Sequence, residues 1–279
     1  MQVATTTLSP GVQRKGKLLL RWPRYALGLK RARQNWKRFG DRYQRPVLFV
    51  AGLPKSGTSW MESMLAGFPG YTLIAHPEIT VHDYDHQGTH GFEMPDDFFT
   101  RLGDALCVVK IHCHGSENNV SVLRRSGVPY CVLYRDLRDA AVSHVSYVKR
   151  TPWHPEYPVY ESLDLPRALR HFADTLLPEW ADWIDSWRRN RDPSSSIELR
   201  YEDMLVDTPG TMKRVAALFR LPERSLDGIV EENDFQKIQG SSSFYRKGRA
   251  GDWVNHFDDE LTRIFDDRVG DRMAEWGYA

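Results

Sequence analysis

Val47-Leu48-Phe49-Val50-Ala51-Gly52-Leu53-Pro54-Lys55-Ser56-Gly57-Thr58-Ser59-Trp60 runs from an apolar β-forming segment into a short loop with two glycines and one lysine, and then into a helical pattern over 59–65. A strand that turns through such a loop into a helix aims backbone N–H groups and the positive end of the helix dipole at one point, where an anion fits. Three further apolar runs, at 105–111, 129–134 and 196–201, read as strands beside the first at 46–51. Helical patterns separate them, at 139–149, 165–190 and 211–219, the last opened by Asp207-Thr208-Pro209. Strands alternating with helices predict one α/β domain with a central parallel sheet flanked by helices.

The loop at 52–58 resembles a P-loop and departs from it in a telling way. The nucleoside triphosphate pattern would place a lysine at position 58, where Thr58 stands. Lys55 lies inside the loop instead, facing the leaving side of a 5′-phosphate rather than a γ-phosphate with magnesium.

The chain has 279 residues with 41% apolar composition, enough for one large domain with a buried core. Its net charge of +1 hides an asymmetry. Residues 1–46 hold twelve Lys and Arg against Asp41 alone, a charge of +11, and the remainder carries −10. The expected organisation is a basic N-terminal arm, 1–45, on a domain at 46–279. Three cysteines without CxxC spacing point to a reducing compartment, the cytoplasm. No apolar run reaches the length of a membrane span or a signal peptide, so a soluble body is expected.

Within the arm, Leu18, Trp22, Tyr25, Leu29, Ala32, Trp36 and Phe39 step by fours and threes, with Pro23 breaking or restarting the helix. Two readings stand side by side. The stripe packs on the acidic body, or it lies on an anionic membrane or in a partner groove and gives the protein a peripheral position.

Four segments in order resemble the cytosolic-type sulfotransferases. They are Pro54–Trp60 for the 5′-phosphosulfate loop, the 132–143 run for the 3′-phosphate motif, Arg200-Tyr201-Glu202-Asp203-Met204 for a strand-end tyrosine motif, and Arg246-Lys247-Gly248 with Gly251-Asp252-Trp253 for the C-terminal signature. The resemblance spans about 46–260 and implies transfer of a sulfuryl group from 3′-phosphoadenosine 5′-phosphosulfate (PAPS) to a hydroxyl, with no metal.

A donor phosphorylated at both ends carries about four negative charges and needs cationic clamps at each end. The loop, with Lys55, Ser56, Gly57, Thr58 and Ser59, is placed at the 5′ end, and Arg135, Ser143, Arg246, Lys247 and Gly248 at the 3′-phosphate. The resemblance adds Trp60 and Phe235 as adenine faces and Tyr201 as a donor-site residue; where many relatives have Thr-Ser-Phe, this chain has Asn233-Asp234-Phe235. Lys110-Ile111-His112 resembles the family's Lys-x-His segment, which makes His112 the general base, with His114 in reserve. Lys55 would neutralise the leaving oxygen and Lys110 the sulfuryl oxygens. Arg138 is expected to be solvated or to cap a helix, outside the site.

Other readings are weaker. His112 and His114 flanking Cys113 suit no chelate, because successive strand residues face opposite ways. His82, His86 and His90 suit a metal only on an intact helix, which Gly88 and Gly91 weaken; walls of an acceptor pocket fit them better, as they fit Trp153, Tyr157 and Tyr160. Trp180, Trp183 and Trp187 form a core stripe. A kinase-like phosphoryl transferase lacks its lysine after Gly57, and a non-catalytic binder of nucleotides or polyanions would have no use for Lys55 with His112. The acceptor class stays open among small molecules, glycans and lipids bearing a hydroxyl; nucleic acid is not expected as a partner. No dimer motif is evident.

Overall fold

A computed structural model describes residues 9–85, 91–234, 237 and 248–278. Five parallel strands form one sheet in the order β2-β3-β1-β4-β5. They are β1 (Val47–Gly52), β2 (Thr72–Leu73), β3 (Cys107–Ile111), β4 (Tyr130–Tyr134) and β5 (Ser196–Arg200). Strand β1 is buried along its whole length because both faces are covered. Val47, Phe49 and Ala51 face one core, shared with Leu169, Phe172 and the tryptophan stripe. Leu48 and Val50 face the other, with Met61, Met64, Val215 and Phe219. The predicted α/β class and parallel sheet are therefore correct, with one strand more than expected. That strand, β2, is two residues long at the sheet edge and carries no periodic signal.

Helices α1 (Pro10–Leu19) and α2 (Arg21–Phe39) precede β1, and Pro23 falls in the first turn of α2 after the break at Leu20. Helix α3 (Thr58–Ala66) follows the phosphate loop, α4 (Pro77–Asp85) follows β2, and α5 (Glu117–Ser126) follows β3. After β4 come α6 (Leu137–Lys149), α7 (Tyr157–Glu161), α8 (Leu165–Thr175) and α9 (Leu177–Asn190). The pattern at 165–190 is thus two helices instead of one. Pro178 cannot donate to the preceding turn, so it starts α9 after the break at Leu176. Helices α10 (Tyr201–Val206), α11 (Thr208–Phe219) and α12 (Leu226–Glu232) follow β5, and a C-terminal helix (Asp259–Glu275) ends the chain.

The chain leaves β1 toward β2 and β3, and leaves β4 toward β5 on the opposite side. The carboxyl ends of β1 and β4 are therefore a topological switch point, where a crevice opens in such sheets. Both predicted phosphate motifs begin there, after Gly52 and after Tyr134.

Most of the arm's stripe packs on the body, while Trp22 near its start stays half exposed. Ala32 is fully buried, and Tyr25 and Leu29 pack on the same core. Trp36 and Phe39 pack on the other core. The Tyr25 ring meets His76 at 5.1 Å, Leu106 N–H donates to the Ala32 carbonyl at 3.1 Å, and Asn35 Nδ2 donates to the Gly70 carbonyl at 2.8 Å. A chain beginning at Arg45 is therefore expected to lose several kcal/mol of apolar burial, roughly 1–2 kcal/mol for each large side chain removed. It should come out insoluble or melt about 10 °C or more below the full chain; an unchanged melting temperature would mean that the arm is dispensable.

Candidate active site

The phosphate loop is built by close approaches that admit few residue types. Leu53 N–H donates to the Leu133 carbonyl at 2.8 Å, carrying the β1–β4 ladder into the loop. A Cβ on Gly52 would lie 2.1 Å from Thr58 Cγ2. Gly57, at φ +84°, lies under the Tyr201 ring, which a Cβ would meet at 2.6 Å. Lys55 also has a left-handed backbone, φ +65°, a conformation that costs a non-glycine residue about 1–2 kcal/mol. Its ammonium lies 4.1 Å from the centroid of the Tyr147 ring. Strain concentrated on a charged loop residue is a feature of binding sites.

Ser56 does not aim at a phosphate. Its Oγ donates within the loop, to the Leu53 carbonyl at 2.5 Å or the Leu133 carbonyl at 3.1 Å, and its N–H also turns to Leu53. Its hydroxyl shapes the loop. Thr58 and Ser59 open α3, whose N-terminus, the positive end of the helix dipole, follows directly on the loop.

Arg135, placed by the end of β4, is 6% exposed. One Nη donates to Asp139 Oδ2 at 3.0 Å and to the Arg249 carbonyl at 2.7 Å. Its Nε has no hydrogen-bond partner among the described residues, leaving a donor for an anion. The guanidinium lies 4.4 Å from the centroid of the Tyr201 ring, and Tyr201 in turn meets Trp60 edge-on at 6.5 Å. The 5′ loop, the 3′ motif and the tyrosine motif are thus in mutual contact. Trp60 Nε1 donates to the Asn233 carbonyl at 2.8 Å, which fixes the indole. Ser143 is half-buried one helical face along α6.

Phe235, Arg246 and Lys247 lie outside the described residues, as do His86 and His90. Gly248 is described, at φ +59°. The segment after it is tied to α6 by Asp139, 1% exposed, a residue the sequence reading passed over. Asp139 Oδ2 accepts from Gly251 N–H at 2.8 Å and Oδ1 from Trp253 N–H at 3.0 Å. Its only sequence signal is its place four residues after Arg135. Arg138 is neither solvated nor a cap: it is buried, paired with Asp136 at 2.7 Å and stacked 4.1 Å over Trp253. The cap of α6 is Asp136 itself.

His112 follows the last residue of β3, next to the loop after β1. One ring nitrogen, Nδ1, lies against the Gly52 carbonyl. A carbonyl only accepts, so Nδ1 carries the proton and Nε2 keeps its lone pair. Desolvation, then the charges of Lys110 and Lys55, push the ring down to about 3, against an opposing contribution from the Gly52 carbonyl. His112 is therefore neutral at neutral pH, with Nε2 unprotonated. Trp183 Nε1 donates to the His112 carbonyl at 3.0 Å and Trp187 Nε1 to the Cys113 carbonyl at 3.0 Å. The tryptophan stripe is core, as expected, and its indole N–H groups also hold the histidine segment in place.

Lys110 pairs with Glu62 at 3.3 Å. The strand ends at Ile111, so His114 leaves the face it would otherwise share; it sits 3.8 Å from Glu179. On α4, desolvation raises the Asp83 carboxyl to about 6, against the pull of Lys110. Trp153 carries the Lys17 ammonium 3.0 Å above its ring. Burial and the neighbouring His144 lower His154 to about 4. Tyr160 is fully buried against His144 and belongs to the core, not to a pocket wall. No cluster of three metal-ligating side chains occurs among the described residues.

A family model described as a sulfotransferase domain matches residues 45–277. The chain belongs to the sulfotransferase family. Sulfotransferase 6B1 of Danio rerio is 26% identical over 159 residues, a match spanning 51% of this chain and 51% of that one. Flavonol 4′-sulfotransferase of Flaveria chlorifolia is 22% identical over 276 residues, covering 82% of this chain and 80% of its own. Mouse sulfotransferase SULT7A1, solved in complex with PAP, shares the fold: TM-score 0.62 and 19% identity over 87% of this chain and 89% of that one.

Proposed function

We propose that this sulfotransferase-family protein moves the sulfuryl group of PAPS to the hydroxyl of an organic acceptor, with His112 as general base. The observation that carries this reading is the meeting of Lys55 and His112: the charge of Lys55 bears on the ring, and the carbonyl of Gly52, in the same loop, orients it. The leaving side of a bound donor and a proton acceptor thus share one space. His112 Nε2 takes the hydroxyl proton as the acceptor oxygen forms its bond to sulfur. The bond from sulfur to the bridging phosphate oxygen breaks, and Lys55 compensates the charge gathering there on 3′-phosphoadenosine 5′-phosphate (PAP). Lys110 offers its charge to the sulfuryl oxygens from the same strand end. A ring held near 3 is a weak base, but the donor's own negative charges lift it toward the useful range once bound.

Donor recognition divides between Lys55 with the α3 N-terminus at the 5′ end and Arg135 with Ser143 and Gly248 at the 3′-phosphate. Arg246, Lys247 and Phe235 complete the site by resemblance to the family. Among the described residues no helix is long and apolar enough to cross a membrane. We assign the protein to the cytoplasm, where Cys107, Cys113 and Cys131, all buried and unpaired, stay reduced.

The test is transfer of ³⁵S from PAPS to phenolic, aliphatic, glycan and lipid hydroxyl acceptors. Transfer to at least one class is expected, undiminished by EDTA, with the donor lacking the 3′-phosphate at least about tenfold poorer, since a charge-assisted phosphate contact is worth about 1.5–3 kcal/mol. Activity lost to EDTA and restored by a divalent ion, or equal use of the two donors, would reject this assignment.

A further inference from the structure

We propose that the outward face of α1 and α2 is a docking surface for an anionic lipid bilayer. Tyr25, Leu29, Ala32, Trp36 and Phe39 of the stripe read from the sequence cannot serve, because they are spent on the body. Trp22 of that stripe and four further apolar side chains remain outside: Leu19 is 75% exposed, Leu27 71%, Trp22 50%, Val12 49% and Leu20 47%. Nine large hydrophobic residues are exposed among the described residues, and these five fall within sixteen consecutive positions. Burial of a helix normally leaves its outer face polar, so the concentration calls for an occupant.

The charge around them says which one. Lys15, Arg24, Lys30, Arg31, Lys37 and Arg38 are exposed on the same two helices, and none forms an ion pair with an acid among the described residues. Leu27, Lys30 and Arg38 project from the side of α2 opposite Ala32, at 3.6 residues per turn, and Arg31 from its flank. A polynucleotide would satisfy the cations but offers nothing to Leu19 or Leu27. An anionic bilayer satisfies both, with headgroups for the cations and acyl chains for the leucines and Trp22. The 19 residues of α2 would lie along the surface and not across it, since the segment is too charged to span. The helices are pinned to the body through Ala32 and, at Lys17, to the Trp153 ring, so the surface is preorganised.

Flotation of the full chain with vesicles containing about 30 mol % phosphatidylserine tests this, against neutral phosphatidylcholine vesicles and across a salt series. The wild type should float with the anionic vesicles, stay behind with the neutral ones and be released by high salt. Trp22→Ser with Leu27→Ser should weaken vesicle binding by roughly tenfold, and Lys30→Glu with Arg31→Glu by at least as much. Both variants should keep the wild-type rise in melting temperature on adding PAP, which shows that they are folded. Three results would overturn the proposal. One is no flotation of the wild type. Another is binding to heparin or RNA at the same salt with the Trp22/Leu27 variant unaffected, which marks a polyanion site. The last is concentration-dependent doubling of mass abolished by these substitutions, which marks a second copy as the occupant.

Discussion

Replacing His112 by alanine is expected to cut turnover by roughly 10²–10⁴-fold while leaving affinity for PAP within about threefold. The ring is oriented by the Gly52 carbonyl and sits at the end of β3, whereas the proposed donor clamps follow β1 and β4. Removing the ring therefore removes proton acceptance and leaves the phosphate contacts in place. Single-turnover rates with bound PAPS isolate the chemical step, and calorimetry with PAP gives the donor affinity. A variant retaining more than about a tenth of the wild-type rate would be too active for a lost general base, and the role would pass to His114.

The same residue gives a pH signature. Its folded value near 3 is below the ordinary histidine value near 6.5, so the unfolded chain binds the extra proton first as pH falls. Stability is complete above about pH 6.5 and is lost as the pH drops toward 3, and His154, lowered to about 4, acts in the same direction. The melting temperature should fall between pH 7 and pH 5, and less so in a His112→Gln, His154→Gln double variant. In an NMR titration of the free protein, His112 should stay neutral down to pH 5, and PAP should raise its midpoint. A free-protein midpoint near 6.5 would contradict the desolvated, neutral ring.

Much of this architecture is written in strong local signals. Strand β1 is legible because both faces are buried, which leaves an unbroken apolar run ending in a glycine-bearing loop. The phosphate loop is legible because close packing at Gly52 and Gly57 tolerates no Cβ. Signals fail where the deciding interaction is tertiary. Strand β2 is too short to show a period. Arg138 looks like a surface residue of α6 until Asp136 and Trp253 are brought to it through space. The tryptophan spacing identifies core, but no pattern reveals that Trp183 donates to the His112 carbonyl. In the arm, period alone could not choose between a membrane and the body; Ala32 and Asn35, by contacting residues far along the chain, make the choice for the stripe. Ser56 lies in the right motif, yet its hydroxyl faces inward, toward the carbonyls of Leu53 and Leu133.

Asp139 should prove as consequential as any residue the motifs single out. Its two oxygens take three donors from two segments: Arg135 on its own motif, and Gly251 and Trp253 on the distant C-terminal signature. The carboxylate is 1% exposed, so water cannot replace it at those donors. Breaking a buried ion pair by removing one partner costs about 3–5 kcal/mol, which at this chain length lowers the melting temperature by roughly 10 °C. The functional cost is separate. With Asp139→Ala, Arg135 loses the support that sets its guanidinium, and the segment following Gly248 loses its attachment to α6. Affinity for PAP should then fall by about tenfold or more, since the 3′-phosphate contacts depend on both. Asp139→Asn discriminates between charge and shape. Its one remaining carbonyl oxygen can hold Trp253 N–H or the Arg135–Gly251 pair, but not both, because the amide nitrogen would face donors. The asparagine variant should therefore fall between wild type and alanine in melting temperature and in donor affinity. Scanning calorimetry with and without PAP reads both quantities at once. If Asp139→Ala melted and bound PAP like the wild type, the C-terminal signature would be held by other contacts, and the coupling between the two motifs through this carboxylate would be wrong.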